Sequence, residues 1–178
     1  QRRKLDVIAN NMANISTTGY KKDGIVSRPF QDELVMRIEK GEPNEVRPVG
    51  YINHGVYVER INTSFADGNL EETGGQTHMA IQGEGFFTIL TEQGVRYTRD
   101  GSFHIDGNGI LVTSEGYPVA GRGEQPIYIG ARSFEVDRNG NIIADGYVLN
   151  QLQLVSFADL SGLEKTGDNL FVNNPENE

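Results

Sequence analysis

Ser102-Phe103-His104-Ile105-Asp106-Gly107-Asn108-Gly109 sets apolar residues at alternate positions and then runs into a turn. Phe103 and Ile105 fall on one side of an extended chain, and Ser102, His104 and Asp106 on the other, which is the period of a half-buried strand. Ser133-Phe134-Glu135-Val136-Asp137-Arg138-Asn139-Gly140 repeats the pattern. Both copies then cross an aliphatic run to an acidic-Gly-Tyr triplet, Glu115-Gly116-Tyr117 and Asp145-Gly146-Tyr147. Each copy reads as a strand, a tight turn and a returning strand, with Phe103 and Phe134 buried. Two copies are too few for a solenoid. They imply two similar hairpins in one β domain, and convergence on common turn chemistry would give the same match.

Working outward, Asp-Gly occurs at 67–68, 100–101, 106–107 and 145–146, and Asn-Gly at 108–109 and 139–140. These pairs favour the positive φ of hairpin turns. Short strands lie between them, among them Val56–Val58, Phe86–Leu90, Val95–Tyr97 and Leu152–Val155. Short strands with frequent turn signals predict an antiparallel β-sandwich or irregular barrel over residues 55–178. Residues 20–54, interrupted by Pro29, Pro43 and Pro48, predict an extended connecting arm. Within it, Leu34, Val35 and Ile38 suggest one or two helical turns, and Gly41–Asn44 a loop.

At the N-terminus, Leu5, Ile8, Met12 and Ile15 are spaced 3, 4, 3, the rhythm of a narrow helical seam. Ser16-Thr17-Thr18-Gly19 predicts the helix end, with Gly19 as terminator. Asn10, Asn11 and Asn14 weaken the helix by ~0.5 kcal/mol each relative to alanine. So short a helix is marginal alone, and it needs a partner to pack on. The whole chain is therefore mainly β, with a short N-terminal helix (1–19), an arm (20–54) and a β-rich domain (55–178).

The 178 residues carry 23% charged and 37% apolar side chains and a net charge of −9, and they include no cysteine. Disulfides, thiol catalysis and zinc-thiolate sites are excluded. Arg2, Arg3, Lys4, Lys21, Lys22 and Arg28 stand against Asp6 and Asp23 in residues 1–28, a net of +4, so the remainder carries −13. So acidic a body argues against nucleic acid, and a basic leader upon it suggests docking on another subunit. No apolar run approaches a membrane span.

Catalytic and ligand motifs fail on inspection. Asp137, Asn139 and Asn141 open like a calcium loop, but its sixth and twelfth positions hold Ile142 and Val148 in place of Gly and Glu. Gly83-Glu84-Gly85 lacks the third glycine of a dinucleotide fingerprint. His54, His78 and His104 have no metal-ligand spacing. Arg99 and Asp100 suggest a turn-stabilising ion pair. No enzyme, cofactor or metal site is expected. A secreted β-sandwich that binds glycan is an alternative, disfavoured by the absence of Trp.

Asp6-Val7-Ile8-Ala9-Asn10-Asn11-Met12-Ala13-Asn14-Ile15-Ser16-Thr17-Thr18-Gly19-Tyr20-Lys21 resembles the N-terminal signature of bacterial flagellar rod and hook proteins. Ala80–Phe87, Tyr97–Phe103, Leu111–Val119 and Gly162–Phe171 resemble the FlgG/FlgF rod-protein family, FlgG more than FlgF. The resemblance implies a structural subunit of the flagellar basal-body rod, the axial shaft that transmits torque to the hook. Its terminal helices would pair into an inner tube with the β domain outside, and both outer terminal helices of the family would be missing here. It implies homo-oligomerisation and contact with neighbouring axial proteins. It also implies export across the inner membrane without a cleaved signal, and neither small-molecule substrate nor membrane insertion. Leu5, Ile8, Met12 and Ile15 would form the subunit seam. Asn10, Asn11, Asn14, Thr17, Gly19 and Tyr20 carry the signature.

Overall fold

A computed structural model describes residues 2–29, 33–38, 46–52, 56–130 and 133–174, with residues 28–60 taken by backbone alone. The elements in order are α1 (Arg2–Ala13), β1 (Asp23–Pro29), β2 (Glu33–Ile38), β3 (Val46–Ile52), β4 (Val56–Thr63), β5 (Phe86–Thr91), β6 (Gly94–Thr98), β7 (His104–Ile105), β8 (Leu111–Val112), β9 (Ala120–Gly121), β10 (Gln125–Pro126), β11 (Phe134–Val136), β12 (Asn141–Ala144), β13 (Tyr147–Gln151), β14 (Leu154–Val155), β15 (Leu163–Gly167) and β16 (Leu170–Asn173). The fold is mainly β and antiparallel, with one short N-terminal helix among the described residues, as the sequence predicts. Among the described residues its small sheets do not close into a barrel.

The chain divides into two units, Gln1–Ala13 with Lys22–Ser64, and Asn14–Lys21 with Phe65–Glu178. In the first, β1 pairs with β4 from Asp23↔Thr63 to Pro29↔Val56, and β2 pairs with β3 from Glu33↔Ile52 to Ile38↔Val46. The helical turns expected at Leu34, Val35 and Ile38 are strand β2 instead. A β-bulge between Val35 and Met36 slips the register by one residue. The extra residue is Val49 on β3, and β2 itself keeps a period of two, with Leu34, Met36 and Ile38 at alternate positions; the adjacent Val35 masks that period when only Leu34, Val35 and Ile38 are read. The loop expected at 41–44 and His54 lie outside the described residues.

The second unit is built on a five-stranded sheet in the order β14-β5-β6-β16-β15. Phe86 and Phe87 are consecutive on β5, so their side chains leave opposite faces. Phe87 joins a core with Ile89, Phe103, Leu111, Ile127, Phe134 and Ile142. Phe86 joins Leu163 and Phe171, lined by Phe65 and Phe157. Phe86 meets Phe171 edge-on at 5.9 Å and Phe157 at 5.6 Å. Both faces of the sheet are thus covered, and β5 shows no polar alternation over its first four residues.

The internal repeat is structural. Asp106 accepts from the amides of Asn108 and Ile110, and Asp137 accepts from those of Asn139 and Asn141. The turn glycines Gly109 and Gly140 take φ of 84° and 76°. Their carbonyls accept from Ile129 and Leu152 respectively, which ties each hairpin to later chain. Phe103 and Phe134 are both buried.

Candidate subunit interface

Helix α1 buries none of its residues. Leu5, Ile8 and Met12 are 66%, 47% and 69% exposed. They are brought together along α1 by their 3–4 spacing. Ile15 is exposed too, but it lies beyond the helix, which ends at Ala13. The helix stops at Ala13, six residues before the predicted terminator Gly19, because Asn14 and Thr17 form a turn, the Thr17 amide donating to the Asn14 carbonyl at 3.1 Å.

The signature asparagines divide. Asn11 makes a reciprocal pair with the backbone of Asp23: its Nδ2 donates to the Asp23 carbonyl at 2.8 Å, and its Oδ1 accepts from the Asp23 amide at 3.0 Å. Asp23 Oδ1 accepts in turn from the Thr63 hydroxyl at 2.8 Å. Asn11 therefore joins α1 to the start of β1. Asn14 accepts from the Thr17 hydroxyl at 3.3 Å. Asn10 is exposed on the helix.

Residues 18–21 sit on the five-stranded sheet and its approaches. The Thr18 carbonyl accepts from Asn169 Nδ2 at 2.8 Å. Gly19, at φ 65°, does not end the helix. A Cβ there would come within 2.5 Å of the Asp100 amide nitrogen, so the position admits only glycine against that backbone. The Tyr20 ring lies 4.4 Å beneath the Lys165 ammonium. Lys165 also donates to the Lys21 carbonyl. Lys21 is 8% exposed. Its amine donates to the carbonyls of Ala66 at 2.9 Å and Phe65 at 3.2 Å. Burial pushes the Lys21 amine below its usual range, the nearby Arg99 guanidinium pushes the same way, and Asp67 opposes both.

Arg99 does not pair with Asp100 as expected. Its buried guanidinium donates to the Gly83 carbonyl at 2.7 Å, lies 3.7 Å from the Asp67 carboxylate and stacks 4.9 Å over Phe86. Asp100 instead accepts from the amide and hydroxyl of Ser102, a turn-stabilising role. Lys21, Lys165 and Asn169 are the contacts that sequence reasoning missed. Lys21 was legible as one charge of a basic leader and as the end of the signature stretch, neither of which announces its burial. Asn169 stands in the turn Gly167-Asp168-Asn169, where all three residues take positive φ, and that turn signal carries no mark of its contact with Thr18.

Among the described residues no group of three His, Asp or Glu could hold a metal ion. The Asp137 carboxylate is occupied by its own turn, as are the carboxylates of Asp106 and Asp159. No helix among the described residues is long and apolar enough to cross a membrane.

Residues 1–21 match the family of flagella basal body rod proteins, and residues 80–144 match the D1 domain of flagellar hook protein FlgE/F/G. The first match ends at the buried Lys21. The flagellar basal-body rod protein FlgF of Caulobacter vibrioides is 36% identical over 97% of this chain and 67% of its own length. The rod protein FlgG of Agrobacterium fabrum is also 36% identical, over 98% of this chain and 70% of its own. FlgG of Bacillus subtilis is 35% identical over 94% and 67%. Equal identity to FlgF and FlgG leaves the member open while the relationship covers nearly the whole sequence, and the chain belongs to the family of flagellar basal-body rod proteins.

Proposed function

We propose that this chain is a structural subunit of the flagellar rod that assembles with copies of itself and with other axial proteins, with Leu5, Ile8, Met12 and Ile15 as its seam. The observation that carries the seam is the exposure of Leu5, Ile8 and Met12 along a helix that buries nothing of its own. An apolar edge of this kind gains free energy only when a partner removes it from water. Residues 1–19 then contribute to the rod core, 20–54 to the connection and 55–178 to the outer part of the shaft. The family is structural rather than enzymatic, and nothing favours glycan binding. Homology to basal-body rod proteins puts the chain in the flagellar basal body. Reaching it requires export across the inner membrane, and torque transfer to the hook follows from a place in the shaft.

The test is Ile8→Asp in the complete gene product, which sets an unpaired carboxylate in an apolar interface. Cells carrying it are expected not to swim and to build no rod visible by electron microscopy. Normal swimming would sink the seam.

A further inference from the structure

The signature Thr17-Thr18-Gly19-Tyr20-Lys21 is spent inside the chain. The Thr18 carbonyl, the Gly19 backbone, the Tyr20 ring, and the Lys21 amine and carbonyl each meet a group from residues 65–66, 99–100 or 165–169. A turn that only reversed the chain would need none of these anchors. Burying an ammonium costs free energy unless its hydrogen bonds are replaced, and Lys21 replaces two of them with main-chain carbonyls. On either side of Asn14–Lys21 the chain passes into the other unit, toward α1 at one end and β1 at the other.

We propose that residues 18–21 are a latch, with Lys21 as its bolt, that fixes the two points where the chain leaves for α1 and β1, and that assembly requires the latch closed although Lys21 touches no neighbouring subunit. Lys21 is thus a positioning residue. The assembly half rests on the rod reading above, whereas the latch itself stands on this chain alone.

Two variants open the latch by independent routes. Lys21→Met keeps the stem and removes the amine, and Gly19→Ala drives a Cβ into the Asp100 amide. Hydrogen exchange followed by mass spectrometry on the 178-residue chain is expected to show residues 14–22 exchanging at least about tenfold faster in both, with β5, β6 and β16 unchanged. In cells, both variants of the complete gene product are expected to lose swimming. Lys22→Met, at the exposed neighbour, is expected to swim as the wild type. Unchanged exchange at 14–22 overturns the latch, and so does equal acceleration across β5, β6 and β16, which would make Lys21 an ordinary core residue. Lost swimming with unchanged exchange would make Lys21 a subunit contact and also overturn it. Fast exchange with normal swimming overturns the requirement for assembly. A wild-type gene product that fails to restore swimming to cells lacking it refutes the rod reading and leaves the exchange result standing.

Discussion

Gly101 shows how little room the body leaves at single positions. A Cβ at residue 101 would fall 1.7 Å from the Met79 carbonyl oxygen, whose own amide donates to the Gly101 carbonyl at 2.9 Å. Gly101→Ala must separate the two segments, and a loss of about 1–3 kcal/mol is expected in urea melts. Gly68 has nothing within 4 Å, so Gly68→Ala is expected to stay within about 0.5 kcal/mol. Acid sensitivity also originates at single residues. The Ile110 amide, first among several donors, holds the Asp106 carboxyl below its usual range. The Asn141 side chain, followed by the Asn141 amide, does the same for Asp137. Each carboxyl is depressed in the folded state, so its contribution is present above the ordinary value of 3.8 and is lost as pH falls through the lower folded value. Urea midpoints followed from about pH 6 to pH 2 should fall less steeply in Asp106→Asn and Asp137→Asn than in the wild type.

At the scale of elements, the two repeated hairpins were legible because their signals are local. Alternation set Phe103 and Phe134 inward, and Asp-x-Asn-Gly wrote the turn. Phe134→Ala is expected to cost about 3–5 kcal/mol, measured by the same melts, with Phe103→Ala close to it. Asp145-Gly146 makes the predicted turn with φ of 53° and 81°. Asp67-Gly68 and Asp100-Gly101 make no hairpin, since the same dipeptide also serves ordinary loops. Strand β2 was misread because Val35 beside Leu34 hides the alternation of Leu34, Met36 and Ile38, and pairing with β3 decides the strand. The latch was illegible because its contacts span 44 to 151 residues, and no local pattern couples them. The exposed apolar edge of α1 was legible at Leu5, Ile8 and Met12, while Ile15 lost its helical position to the Asn14–Thr17 turn. Ile8→Asp is expected to shift the unfolding free energy of this chain by less than about 0.5 kcal/mol. A loss of 2 kcal/mol or more would assign the helix to the chain's own core.

At the scale of the molecule, charge and ligands follow the same division. Arg2, Arg3 and Lys4 are exposed on α1, whereas Lys21, counted with them in the basic leader, is buried. The leader is therefore two things, a solvated basic helix and an internal cation. The turn carboxylates are saturated by their own backbone. Chelator is accordingly expected to leave the melting temperature unchanged. A drop on adding EDTA that calcium reverses would show that Asp137 and Asn139 hold an ion.

The strand order sets a timetable. Strand β16 lies between β6 and β15, and Leu170 pairs with Thr98, so β6 keeps an open edge until the chain is complete through Asn173. Asn169 and Lys165, which donate to the carbonyls of Thr18 and Lys21, are carried by this same hairpin, whereas the Lys21 amine is held by the carbonyls of Phe65 and Ala66. Residues 18–21 are thus made well before the hairpin that completes their anchoring. Long-range closure of this kind is slow. During that interval the carbonyls of Phe65 and Ala66 can already hold the Lys21 amine, and the carbonyls of Thr18 and Lys21 face water until Asn169 and Lys165 reach them.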